Sequence, residues 1–193
     1  MINQFVQRCS ILLLAVFVAA CAQSPQRITV QPTLSISGDA GGSGHTILVT
    51  SSDERSNKAL GSLGGIYGNT ATLSIGNNLE QALINSANAL LASQGYVVNS
   101  PDPDAVQLNI VVEALTYEPI EQQVGNAVKL TAVLRADVTR GAETFSGRYQ
   151  SQSERRSVTR PEQHHNEKYV NELLSETLTR MFSDNRLRDF LRK

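Results

Sequence analysis

Apolar and polar residues alternate with a period of two along much of the chain's second half. Val106, Leu108, Ile110, Val112 and Ala114 alternate with Gln107, Asn109, Val111, Glu113 and Leu115. Val128, Leu130, Ala132, Leu134, Ala136 and Val138 alternate with Lys129, Thr131, Val133, Arg135, Asp137 and Thr139. The pattern predicts two strands of an antiparallel sheet with a single covered face. Arg140-Gly141-Ala142-Glu143 reads as a hairpin turn, and Thr144 to Val158 as a third, more polar strand with Phe145, Gly147 and Tyr149 on one side.

The first half is less regular. Ile28, Val30, Leu34 and Ile36 alternate with polar residues, but Pro32 lacks the N–H a central strand needs, which predicts an edge strand or the start of one. Gly38 to Gly44 reads as a turn. Thr46 to Thr50 and Thr70 to Ile75 read as strands, and between them the segment 53–69 carries Gly61, Gly64, Gly65 and Gly68.

The period changes to helical at Leu79, Ala82, Leu83, Ser86, Ala87, Leu90 and Leu91. Asn77 and Glu80 are spaced as a capping box at its start, and Gly95 is placed to end it. Tyr96 to Val98 predicts a short extended piece and Pro101 to Asp104 a turn. A second helix follows Pro161, with Tyr169, Leu173, Leu174, Thr177, Leu178, Met181 and Phe182 on one stripe. Asp184 is placed to cap a last turn through Leu187, Phe190 and Leu191. The expected fold is α+β: a mostly antiparallel β-sheet with two main helices packed on one face, a two-layer sandwich.

The N-terminus follows a different logic. Arg8 precedes an apolar run, Ile11 to Val18, that is far shorter than the ~20 residues a membrane-spanning helix needs. Small residues then lead into a cysteine in Val18-Ala19-Ala20-Cys21. This resembles a bacterial lipobox, in which the cysteine is acylated and becomes the first mature residue; an ordinary secretory signal cut near Ala20 is the plainer alternative. The expected organisation is a signal peptide over 1–20, a lipidated N-terminus and tether over 21–27, and one α+β domain over 28–193. Cys9 leaves with the signal and Cys21 is taken by acylation, so the folded part has no free thiol. Ala22, rather than Asp, follows the cysteine. By resemblance to enterobacterial sorting, that implies the outer membrane, with the domain on its periplasmic face.

The whole chain has 17 Lys and Arg against 18 Asp and Glu. Removing residues 1–20 takes away Arg8 alone among the charged side chains, leaving 16 against 18. That balance gives no electrostatic footprint for nucleic acid.

Over nearly its whole length the sequence resembles the YajG-type family of uncharacterised proteobacterial lipoproteins. The resemblance rests on Cys21, on Ile28-Thr29-Val30-Gln31-Pro32, and on Asp53-Glu54-Arg55 ahead of Ala59-Leu60. It also rests on Gly95-Tyr96 and on a C-terminal helix ending near Phe190. It implies an outer-membrane lipoprotein with no established activity.

Among candidate sites, Asp53 and Arg55 point to one side of a strand. They read either as a place for a polar partner or as an ion pair closing the strand. Leu63, Ile66 and Tyr67 read either as a partner-binding patch or as residues tucked onto the sheet. The glycines at 61–68 lack the Gly-Lys-Ser/Thr of a phosphate loop. His164 and His165 are adjacent and diverge by about 100° on a helix, the wrong spacing for one metal. Glu154-Arg155-Arg156, with Arg160 and Lys168, reads as a contact for anionic headgroups or peptidoglycan, or as a solvated strand end. No Ser elbow or paired acids stand out. The expectation is a non-enzymatic protein without cofactor or metal, held to the membrane at Cys21 and meeting an envelope protein partner. The alternatives are a module for a small glycan or lipid, and a hydrolase.

Overall fold

The computed structural model describes residues 25–36, 41–64, 71–120, 122 and 125–192. The predicted signal segment, Cys21, Ile66 and Tyr67 lie outside them. The long alternating runs form three strands of equal length: β6 (Val106–Ile120), β7 (Asn126–Arg140) and β8 (Glu143–Ser157). They pair antiparallel in succession, and Gly141, at φ 56°, makes the tight turn between β7 and β8. On one face Leu108, Ile110, Val112, Leu115, Leu130, Ala132 and Leu134 are buried.

The sheet is mixed rather than wholly antiparallel. β2 (Thr46–Asp53) lies parallel to β6 on one side and to β5 (Val97–Val98) on the other, giving the order β5-β2-β6-β7-β8. Sequence periodicity does not distinguish parallel from antiparallel pairing. The crossover does: helix α1 (Leu79–Ser93) lies between β2 and β5 in the chain, and a parallel return needs such a connection. A second sheet, in the order β1-β4-β3, is built from β1 (Gln26–Ile28), β4 (Thr72–Ile75) and β3 (Gly61–Ser62). It meets β6 where Tyr117 N–H donates to Leu60 O at 2.8 Å. At Gly61 a Cβ would collide with the Tyr117 carbonyl oxygen, which is why the smallest residue stands there.

Helices α1 and α2 (Gln163–Phe182) cover the apolar face, and α3 (Asn185–Arg192) closes its end against β8. The buried stripe of α2, from Val170 through Leu173, Leu174 and Leu178 to Met181, follows the predicted period. Asp184 caps α3 as expected, its Oδ1 accepting from Arg186 N at 2.9 Å. Gly95, at φ 85°, ends α1. Tyr96 N–H donates to Leu91 O and Gly95 N–H to Ala92 O, so the last carbonyls of the helix are satisfied by a Schellman turn.

The start of α1 corrects the expected capping box. The cap is Asn78, whose Oδ1 accepts from Gln81 N at 2.8 Å, and Glu80 instead accepts from the Asp53 N–H at 3.1 Å. Asn77 has a different partner. Its side chain accepts from Val30 N at 2.9 Å and donates to Val30 O at 2.8 Å.

That bond belongs to a longer arrangement. After β1 the chain runs extended through Thr33 in the groove between α1 and α2, with Ile28, Val30 and Pro32 turned into the core. Gln163 donates to Arg27 O, Glu167 accepts from Thr29 N, and Asn171 both donates to Thr29 O and accepts from Gln31 N. Ser175 accepts from Thr33 N at 3.0 Å. On the α1 side Ser86 Oγ donates to Pro32 O at 2.5 Å. The helix partners recur every fourth residue and the strap residues every second. Four helical residues rise about 6 Å and two extended residues about 6.6 Å, so the two ladders stay in register. Pro32 stands where the missing N–H would have faced α1. The proline that argued against a central strand is therefore at home in this strap.

Asn77→Ala leaves both polar groups of Val30 without partners and is expected to lower unfolding stability by about 2 kcal/mol in chemical denaturation. Asn78→Ala removes only a helix cap and is expected to cost about 1 kcal/mol. Only the first change should speed amide exchange along residues 29–33; equal effects from both would refute the assignment.

Candidate functional site

At the end of β2 the chain turns sharply and gathers charge. Arg55 is 8 % exposed and forks onto Asp53, with Nε to Oδ1 and Nη2 to Oδ2 both 2.9 Å. The Arg55 N–H also donates to Asp53 Oδ1 at 3.1 Å, and Lys58 Nζ lies 3.2 Å from Asp53 Oδ2. Burial works against the Asp53 charge, but the Arg55 fork, its N–H and Lys58 outweigh it and hold the carboxyl below its ordinary range. Every polar direction of this carboxylate is spoken for. The two side chains thus form an ion pair at the end of the strand. Arg55 Nη1 is buried without a partner among the described residues.

Leu63 lies elsewhere. It packs against the core and lines a cavity of about 400 Å³ with Tyr117, Pro119, Ile120, Arg160 and Pro161. Beneath it runs a chain of amides: Tyr117 Oη donates to Asn166 Oδ1 at 3.0 Å, and Asn166 Nδ2 donates to Gln26 Oε1 at 2.8 Å. Burial, and secondarily Tyr169, push the Tyr117 hydroxyl up to about 12, so it acts as a donor throughout the physiological range. Leu63 and the Asp53–Arg55 pair thus do not share one site. Ile66 and Tyr67, the rest of the expected apolar patch, fall outside the described residues, as does Cys21.

The strap and α1 border an open cleft of about 640 Å³. Its walls are Pro32, Leu34, Ala82 and Ala89, with Gln31, Gln81 and Asn85 among the amides and Ser86 and Ser93 among the hydroxyls. None of the residues lining it carries a charge. Sequence reading missed this cleft because the alternation at 28–36 pointed to a sheet, not to a groove between helices.

The uncovered face of the large sheet is polar and ordered. Where β2 leaves β6 the register shifts between Val112 and Ala114, and the bulge turns Glu113 outward. Glu113 accepts from Arg135 at 2.9 Å and from Arg148 at 2.6 Å. Arg135 also pairs with Asp137 at 2.9 Å and Glu54 at 3.3 Å, and Ser146 donates to Asp137 at 2.7 Å. Beneath this lattice Val111 and Val133 are buried.

Two arginines of the locally basic run are paired in place. Arg155 pairs with Glu172 at 2.9 Å and lies over the Tyr169 ring, and Arg156 pairs with Glu154 at 2.8 Å. His164 and His165 do not diverge as expected; at the first turn of α2 their ring centroids are 3.8 Å apart. Among the described residues no grouping of three or more His, Cys, Asp and Glu is placed to hold a metal ion, and no helix is long and apolar enough to cross a membrane.

A family model described as an uncharacterized lipoprotein matches residues 32–192. No curated protein matches the chain. A crystal structure of an uncharacterized protein is similar over 82% of this chain and 99% of its own, at 13% identity and a TM-score of 0.47. A neuraminyllactose-binding hemagglutinin homolog from Helicobacter pylori, so described, is similar over 82% of this chain and 96% of its own, at 11% identity and a TM-score of 0.47. Lipoprotein GNA1162 from Neisseria meningitidis is similar over 72% of this chain and 99% of its own, at 15% identity and a TM-score of 0.35.

Asp53→Asn strands the Arg55 charge in a buried corner and is expected to cost about 3 kcal/mol at neutral pH. The lowered folded pKa sets the sign. The carboxylate's contribution is full above its unfolded value near ~3.9 and fades as pH falls through the lower folded value. Denaturation midpoints of wild type and variant should therefore converge at acid pH; a constant gap down to pH ~2 would refute the ion-pair account.

Proposed function

The chain belongs to the uncharacterized lipoprotein family, and from that premise we propose a non-enzymatic lipoprotein of the outer membrane. An acylated Cys21 anchors it, and its domain on the periplasmic face is a binding component of a cell-envelope assembly. The observation that carries this reading is the bare face of the five-stranded sheet. Thr144, Ser146, Arg148, Gln150, Gln152, Glu154 and Arg156 are all exposed, beside the ordered charges of Arg135 and Glu113. Among the described residues helices cover the other face alone, which leaves a large polar surface for a protein partner.

The tether supports the orientation. Ala22 to Pro25 span at most about 14 Å when fully extended, at ~3.5 Å per residue. They lead directly into the strap, which lies in the helix layer. The helix layer is thereby held toward the bilayer, and the bare sheet face looks away from it.

The uncharged cleft favours a second reading. Amides and hydroxyls set around an apolar floor suit a neutral polyhydroxylated ligand such as a glycan, whose hydroxyls both donate and accept and whose ring faces are apolar.

Cys21→Ser is expected to move the protein from the outer-membrane fraction to the soluble periplasm and to abolish palmitate labelling. A variant that still pellets after a carbonate wash refutes the anchor. A photo-crosslinker at Lys129 on the bare face should yield adducts with another envelope protein, whereas one at Asn85 in the cleft should not. Glycan adducts at Asn85, with none at Lys129, would replace the first reading with the second.

A further inference from the structure

Strand β8 ends the large sheet, and among the described residues no other strand pairs with its outer edge. It runs for 15 residues without a proline, a lysine or a bulge, and its register with β7 is unbroken from Asn126↔Ser157 to Arg140↔Glu143. Proline, lysine and bulges are among the devices that blunt sheet edges, because a long regular edge templates another strand; β8 has none of these three, and the Arg155 charge it turns to the covered face is taken up by Glu172.

The direction of its free groups follows from the ladder. Tyr117 N–H points away from β7, toward Leu60, so its partner Leu130 bonds toward β8, to Ser153. Odd residues of β8 therefore bond inward to β7. Even residues, from Thr144 to Arg156, turn their N–H and C=O groups to the open edge. No backbone bond from elsewhere among the described residues reaches them.

We infer that this edge pairs with the same edge of a second copy, antiparallel about a two-fold axis at Ser151. That register sets Arg148 opposite Glu154 of the other copy and Gln150 opposite Gln152, each pair occurring twice. Opposite charges and amide pairs facing across an antiparallel pair stabilise it. Sliding by one pair in one direction puts Arg148 against Arg156, a repulsion; sliding in the other leaves Arg148 against Gln152 and Glu154 against Ser146. Charge thus selects the register. On the covered face Ser151 meets its own counterpart, and its Oγ, 3% exposed as a residue and without a partner among the described residues of the single chain, gains one.

A two-fold axis between antiparallel strands of one continuous sheet runs normal to that sheet. Both helix layers, and both straps, therefore face the same way, so two anchors reach one membrane. The pairing does not depend on that anchor, and a chain lacking Cys21 retains the same edge.

The test uses the full-length protein in its own envelope. Ser151→Cys is expected to form an intermolecular disulfide on mild oxidation, since directly opposed residues at this kind of position have Cα atoms about 4.5 Å apart. Ser153→Cys faces Tyr149 of the other copy and should crosslink at least tenfold less. In the Ser151→Cys background, Arg148→Glu or Glu154→Arg alone should cut the yield severalfold, and both together should restore it. Gln150→Pro removes an edge N–H that no described residue of the single chain bonds, so it should abolish crosslinking while circular dichroism stays unchanged. A folded Ser151→Cys protein that remains monomeric, or forms adducts only with other proteins, overturns the pairing; equal yields at 151 and 153 overturn the register.

Discussion

A half-buried extended segment must find partners for the N–H and C=O groups that water does not reach, and outside a sheet side chains supply them. The strap from Arg27 to Thr33 meets this demand with a ladder on α2, Gln163, Glu167, Asn171 and Ser175, and with Asn77 and Ser86 on the other flank. The rest of the domain depends on it. Ile28, Val30 and Pro32 fill the space between the two helices, and without them neither helix would have a closed flank over the sheet. Each bond contributes on the order of 1 kcal/mol, but losing one partner exposes a desolvated group, so the ladder acts as a set.

The long strands, both main helices, the Gly95 stop and the Asp184 cap are all legible in the order of residues, because each rests on a local period or a local cap. What escaped are features that join distant segments. Asn77 and Asn78 are equally good caps when read alone; only the presence of Val30 forty-seven positions away decides which one caps and which one bridges. The four-residue spacing of Gln163, Glu167, Asn171 and Ser175 was present in the sequence, and it is the signal that could have pointed to the strap. It reads as an ordinary solvated helix face until an extended partner with a two-residue repeat is laid beside it. The parallel pairing of β2 with β6 escaped for the same reason, since alternation describes a strand and not its neighbour.

Charge is used here to tie elements down more than to attract. Arg55 is folded onto Asp53, Arg155 onto Glu172, and Arg135 among Glu54, Glu113 and Asp137. A basic run in a sequence is therefore a poor guide to a basic surface when acidic residues on other elements stand within reach. The Glu113 bulge shows the same economy, since the single extra residue in β6 supplies the carboxylate that two arginines share.

The strap also determines how the domain answers mechanical load. Tension arriving from the N-terminus enters along the axis of an extended segment whose bonds to α2, and whose pairing of β1 with β4, all run across that axis. Tugging along that line shears these links together, where a hairpin at the same place would unzip them one after another. Pulled from that end, the domain is thereby built to hold its shape rather than peel apart.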